Sequence, residues 1–131
     1  MVEVALMLAA LLHRPAALVD AVYQAGGLDA VAVVETESQF NERAWRREPE
    51  GTSYGLFQLY SKCHEQYRGD VLLHIVAGCA FLSQCLAKGG GSLAKGYSIF
   101  NSGTSWKSID KGKKLERRRD SWAMYIYRRL R

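Results

Sequence analysis

The sequence predicts a mainly α-helical domain, and three observations predict it. Apolar residues recur at i, i+3, i+4 and i+7 through most of the chain, the spacing of one helix face. The interruptions are glycine and proline (Pro15, Gly26–Gly27, Gly89–Gly91, Gly103), which are helix punctuation. Only one stretch departs from this pattern, around residues 46–60, and it has room for no more than a short β-hairpin near residues 50–60. A chain of 131 residues without an internal repeat or linker reads as one domain spanning 1–131.

In order, Met1–Leu12 is apolar and helical, and Pro15 occupies the first turn of a second helix that ends at Gly26 and Gly27. Leu28 or Asp29 begins a third, with Asp29 as its cap, running to about Trp45. Residues 46–54 (RREPEGTSY) have turn chemistry around Pro49, Glu50 and Gly51, so they read as a loop. The run GLFQLY at 55–60 is apolar around one amide, Gln58, either a structural hydrogen-bonder or a ligand contact. Asp70 caps a helix to Lys88 whose inward stripe is Leu72, Ile75, Val76, Cys79, Leu82 and Leu86. After the Gly89–Ser92 turn, a helix from Leu93 carries Tyr97 and Phe100 and is ended by Asn101, Ser102 and Gly103. A loop through Lys114 leads to a last helix, Leu115–Leu130, with Leu115, Trp122, Ile126 and Leu130 inward and arginines around the rest.

Composition excludes several classes. Hydrophobic residues are 48% and charged residues 24%, a globular balance, and no apolar run reaches the roughly 18 residues of a membrane span. The apolar start carries Glu3 and no preceding basic residues, so it reads as helix rather than signal peptide. Cys63, Cys79 and Cys85 are odd in number and lack a C-x-x-C pair, so they read as small core residues. His13, His64 and His74 have no metal-ligand spacing, and no nucleophile elbow or phosphate loop is present. The net charge of +5 suits an anionic partner. Basic and aromatic residues interleave in the last helix, which is compatible with single-stranded nucleic acid, but a solvated face over an aromatic stripe is the preferred reading and no nucleic-acid partner is expected.

One acid stands out. Ala30, Val33, Glu37, Phe40 and Ala44 fall on one helical stripe, placing a single carboxylate on an apolar face. Desolvation there raises a carboxyl's pKa, as a general acid near neutral pH requires. The alternative is a solvated rim position paired with Arg43, Arg46 or Arg47.

Glu37-Ser38, Gly55-Leu56-Phe57-Gln58, His74-Ile75-Val76-Ala77-Gly78 and Phe100-Asn101-Ser102-Gly103 appear in that order. Together they resemble the motifs of the SLT-type lytic transglycosylases, relatives of goose-type lysozyme, from about Pro15 to Gly103. The resemblance implies a lysozyme-like helical fold and a cofactor-free, metal-free monomer acting on peptidoglycan glycan strands, without stable membrane insertion. It implies Glu37 as catalytic acid and base, supported by Ser38, with Ser53, Tyr54, Gln58, Tyr97, Phe100 and Asn101 around the saccharide. Two positions depart from the family: His74 replaces an asparagine, and Phe100 replaces a tyrosine whose hydroxyl orients the glutamate, a role left for Tyr97 one turn earlier.

The implied reaction cleaves the MurNAc-β-1,4-GlcNAc bond with one carboxylate and leaves a 1,6-anhydro-MurNAc product. A second carboxylate, Glu48 or Glu50, would turn the same site to goose-type hydrolysis. An inactive glycan-binding module is the remaining alternative, and Glu35 is the next acid after Glu37. A short chain without a recognised signal peptide points to a phage or prophage endolysin or virion enzyme.

Overall fold

The computed structural model describes residues 2–49, 51–60 and 69–131. Among them the chain forms α1 (Val2–Leu12), α2 (Ala16–Ser38), β1 (Trp45–Glu48), β2 (Gly51–Tyr54), β3 (Leu59–Tyr60), α3 (Val71–Lys88), α4 (Leu93–Ser102) and α5 (Ile109–Leu130). It is mainly helical, with one small antiparallel sheet in the order β1-β2-β3. Glu50, Cys63 and His64 lie outside the described residues.

Helix α2 is the centre of the domain. It packs against α1, α3 and α5, and its residues 30–35 (AVAVVE) are all buried. Six consecutive buried positions cannot lie on one stripe, so this half of α2 is enclosed on all sides. The two helices expected on either side of Gly26–Gly27 are one element with a break at Gly27 (φ 70°, ψ −164°). Asp29 lies within its second half, and its carboxylate accepts from Arg119 of α5 at 2.9 Å. Pro15 sits one position earlier than expected, just before the first helical residue.

The helix expected to reach Trp45 stops at Ser38. There Ser38 Oγ donates back to the Val34 carbonyl (3.2 Å), and Gln39 and Phe40 both take left-handed backbone (φ 52° and 62°). Left-handed backbone costs a non-glycine residue about 1–2 kcal/mol. Phe40 offsets it by burying its ring in the core, an effect of about 1.5–3 kcal/mol, with 3% of the residue left exposed. Asn41 Oδ1 then accepts from the Arg43 amide (3.0 Å), a local turn. The chain reverses into β1, so residues 45–48, expected as helix end and loop, are a strand. Trp45 pairs with Tyr54 and Glu48 with Gly51, and β2 then pairs with β3.

Asp70 and Ser92 cap α3 and α4, each accepting from the amide three residues on. Helix α3 presents a different face from the one expected: His74, Ile75, Gly78, Leu82 and Cys85 point inward. Leu72 and Val76 are 65% and 61% exposed. An almost wholly apolar helix has no inward stripe of its own; the choice is made by Gly78, where any Cβ would overlap the Phe57 ring. By length and hydropathy alone α2 and α3 could each cross a bilayer, contrary to the expectation from the sequence. In the fold, the second half of α2 is enclosed by protein instead. Cys79 and Cys85 are unbridged in α3, and burial pushes the Cys79 thiol up to about 11. The last helix begins at Ile109, six residues before the expected start. Its Gly112 is not a breaker but a point of close approach, lying against the Ala94 backbone of α4. Leu130, expected inward, is 46% exposed.

Candidate active site

Glu37 is the penultimate residue of α2, held just before the two left-handed residues that turn the chain away. Its side chain is 5% exposed. Tyr97, reaching across from α4, donates its hydroxyl to Glu37 Oε1 at 2.7 Å. The Asn101 side chain, one turn further on, is near enough to the carboxylate to favour its ionised form. Ser108 Oγ orients that amide by donating to Asn101 Oδ1 at 2.8 Å. Burial holds the Glu37 carboxyl above its ordinary range, opposed first by the Tyr97 hydrogen bond, then by Arg46, Asn101 and Lys111. The Tyr97 phenol is pushed far up by burial and by the neighbouring carboxylate, so it remains a donor. Both sequence readings of Glu37 hold in part: it is desolvated, and a cation is near, but Arg46 Nη2 stays 4.0 Å from Oε2.

Glu37, Ser38 and Gln58 line one open cleft of about 360 Å³, together with Thr36, Gln39, Ala44, Trp45 and Arg46. Gln58, itself left-handed (φ 51°), donates its amide nitrogen to the Ala44 and Gly55 carbonyls at 3.1 and 2.9 Å. Its amide oxygen is therefore the end available to the cleft. The 55–58 loop is fixed from behind by His74, whose Nε2 accepts from the Phe57 amide at 3.0 Å. That contact accounts for Gly55: with φ 78° and a hypothetical Cβ 2.5 Å from the His74 ring, no side chain fits.

The remaining expected residues are either engaged in other bonds or placed elsewhere. Ser38 spends its hydroxyl on the Val34 carbonyl. Ser53 is buried and donates to Glu48 Oε1 at 3.2 Å. Tyr54 lines a second cavity of about 220 Å³ with Glu42, Arg43 and His74. Phe100 packs in an aromatic cluster with Tyr97, Phe57 and Phe81. Glu35 is clamped by Arg14, which donates from Nε and Nη2 to its two oxygens at 2.8 Å each.

Two features of the cleft go beyond the sequence reading. Trp45, 66% exposed, offers an indole at the rim, a surface suited to the apolar face of a sugar ring. Arg46 links two acids: its Nε donates to Glu48 Oε1 at 3.0 Å while its Nη2 faces Glu37. One guanidinium thus lies between the two carboxylates, bringing a second acid toward Glu37 as glycoside hydrolysis generally requires. The cue was the alternation of Arg46 and Glu48 on a strand, hidden while those residues read as a loop. Among the described residues no three His, Cys, Asp or Glu side chains are grouped to hold a metal.

Compared with family models, curated proteins and solved structures, the chain matches none.

Proposed function

We propose that the chain is a peptidoglycan-cleaving enzyme of lysozyme-like fold, a lytic transglycosylase in which Glu37 acts on the MurNAc-β-1,4-GlcNAc bond. The observation that carries this reading is a single buried carboxyl with a raised pKa, gripped by a tyrosine hydroxyl, at the wall of an open cleft. Burial keeps the proton on Glu37 in a pH range where a solvent carboxyl has lost it. Glu37 gives that proton to the departing O4 of GlcNAc as the C1–O4 bond breaks. The muramyl N-acetyl oxygen bonds to C1 in its place. The sugar's own C6 hydroxyl then displaces it, and Glu37 takes back the C6 proton, leaving 1,6-anhydro-MurNAc and a regenerated acid. Tyr97 and Asn101 hold the carboxylate in one orientation for both transfers, while Trp45 and the Gln58 oxygen offer contacts to the sugars.

The Glu37–Arg46–Glu48 arrangement favours a second reading, hydrolysis. In that reading Glu48 activates a water on the far face of C1 while Glu37 protonates the leaving oxygen, inverting the anomeric centre.

Mass spectrometry of digested peptidoglycan separates the readings. Anhydro-muropeptides are expected. Reducing ends that disappear in Glu48→Gln would instead support hydrolysis, and release of neither product would leave only a glycan-binding role.

A further inference from the structure

Positive charge is not spread evenly along this chain. Residues 109–131 hold nine of the eighteen Lys and Arg but three of the thirteen Asp and Glu, a net of +6, which leaves the first 108 residues at −1. Nearly all of this basic segment is α5, and seven of its nine cations fall into two sets. Arg118 and Arg119 turn toward α2, at 4.0 Å from Glu35 and 2.9 Å from Asp29. Lys111 influences Glu37 from the same flank. Lys113, Arg117, Arg128 and Arg131 follow one another at spacings of four, eleven and three, which puts them on the face opposite Leu115, Trp122 and Ile126. All four are exposed. Of the two acids on that face, Asp120 is already bound by Arg119 through Nε and Nη2 at 3.0 and 2.9 Å, and Asp110 stands three residues before Lys113 in the first turn of the helix.

Between these cations the face also carries apolar surface. Met124 is 50% exposed and Tyr127 58% exposed, and they lie one turn apart in the same stripe. Arg131 stacks over the Tyr127 ring at 5.9 Å, leaving the ring's amphipathic edge at the surface.

We propose that this outer face of α5 docks the protein on an anionic phospholipid bilayer, lying on the surface without crossing it. Charge complementarity selects a polyanionic partner, and the apolar pair selects among polyanions. A bilayer surface offers phosphates to the four cations, headgroup depth to a tyrosine and an acyl boundary to a methionine. A single-stranded nucleic acid offers phosphates and a base to stack on the tyrosine but no acyl boundary for the methionine, and an anionic wall polymer offers the phosphates alone. The surface is separate from the Glu37 cleft and stands whether or not the chain cleaves glycan.

The test is sedimentation of the full chain with vesicles of pure phosphatidylglycerol and, separately, of pure phosphatidylcholine. Partition into the first and not the second is expected, weakening as salt rises. The Arg117→Gln/Arg128→Gln/Arg131→Gln variant should partition about 100-fold less at low salt, about fivefold per arginine. The Met124→Ser/Tyr127→Ser variant should lose about tenfold while keeping the salt dependence. All five positions are exposed, so unchanged circular dichroism should accompany both variants. Absence of binding to phosphatidylglycerol overturns the proposal. So does a Met124→Ser/Tyr127→Ser variant that binds vesicles as the parent does, or a single-stranded oligonucleotide that displaces the vesicles and binds that variant equally well.

Discussion

Glu35 and Glu37 are two residues apart on the same helix, both almost without solvent, with side chains 3% and 5% exposed. They point about 200° apart around α2 and meet opposite treatment. Glu35 receives two guanidinium hydrogen bonds from Arg14 and has Arg118 at 4.0 Å. Glu37 receives a neutral hydroxyl, and its nearest cation is kept at 4.0 Å. Burial is thus not what makes an acid reactive here. A buried carboxylate whose charge is matched is a tie between elements; one whose charge is not matched keeps its proton and can deliver it.

The largest effect expected from this contrast is catalytic. Glu37→Gln should lower glycan cleavage by at least about 10³-fold with the fold intact, since a general acid supplies about 10²–10⁴ and here the same group serves twice. Turnover of labelled peptidoglycan measures it. Activity surviving in Glu37→Gln, and lost in Glu35→Gln without loss of folding, would exchange the two roles.

Next in size is a stability effect on the other side of the helix. Removing one partner of a fully buried ion pair costs about 3–5 kcal/mol. The Arg14 side chain is 27% exposed, so Arg14→Ala should cost less, about 2 kcal/mol by urea unfolding. It also unties the α1–α2 connection from the last turns of α2. A variant as stable as the parent would mean that the tie contributes nothing.

A smaller effect, of opposite sign, follows from Glu37. Its folded-state pKa is raised above the unfolded value, so the folded protein holds a proton that the unfolded chain releases. Stability is therefore lost as pH rises through the interval between the two values. Glu37→Gln has no such proton and keeps an oxygen for Tyr97 to donate to. It should melt at a higher temperature than the parent at neutral pH, and the gap should close on acidification below the ordinary carboxylate range. A gap independent of pH would assign it to packing instead.

Much of this arrangement was legible in the residues. The cap at Asp70 read directly from a side chain that accepts a backbone amide, whereas Ser92 read only as part of a turn, and Glu37 stood out as one acid among apolar neighbours. Tyr97, one turn from Phe100, is where the missing hydroxyl is found. What was illegible depended on contacts distant in sequence. Strand β1 has no alternation of apolar and polar residues of its own and exists because β2 pairs with it. The face of α3 is chosen by Gly78 meeting Phe57, and the early start of α5 by Gly112 meeting Ala94. Glycine reads as a breaker in a sequence and as a point of contact in a fold. Arg14 and Glu35 are 21 residues apart, and no local pattern links them.

The smallest expected effect probes how closely the charge at Glu37 is poised. Arg46 lowers the Glu37 pKa through space while hydrogen-bonding Glu48. Its side chain is 57% exposed, so water and salt weaken its influence. Arg46→Gln removes that opposition to burial, and the carboxyl should retain its proton to a higher pH. The alkaline limb of the pH–activity profile should therefore move upward by a few tenths of a unit at low salt, and added salt should shrink the shift. Tyr97→Phe removes the larger opposing influence and should move the limb further the same way, with a fall in maximal rate because the carboxylate loses its orienting bond. A limb that stays in place in Arg46→Gln would mean that the guanidinium acts chiefly on Glu48 and not on the Glu37 carboxyl, and that outcome would tip the comparison toward two working carboxylates.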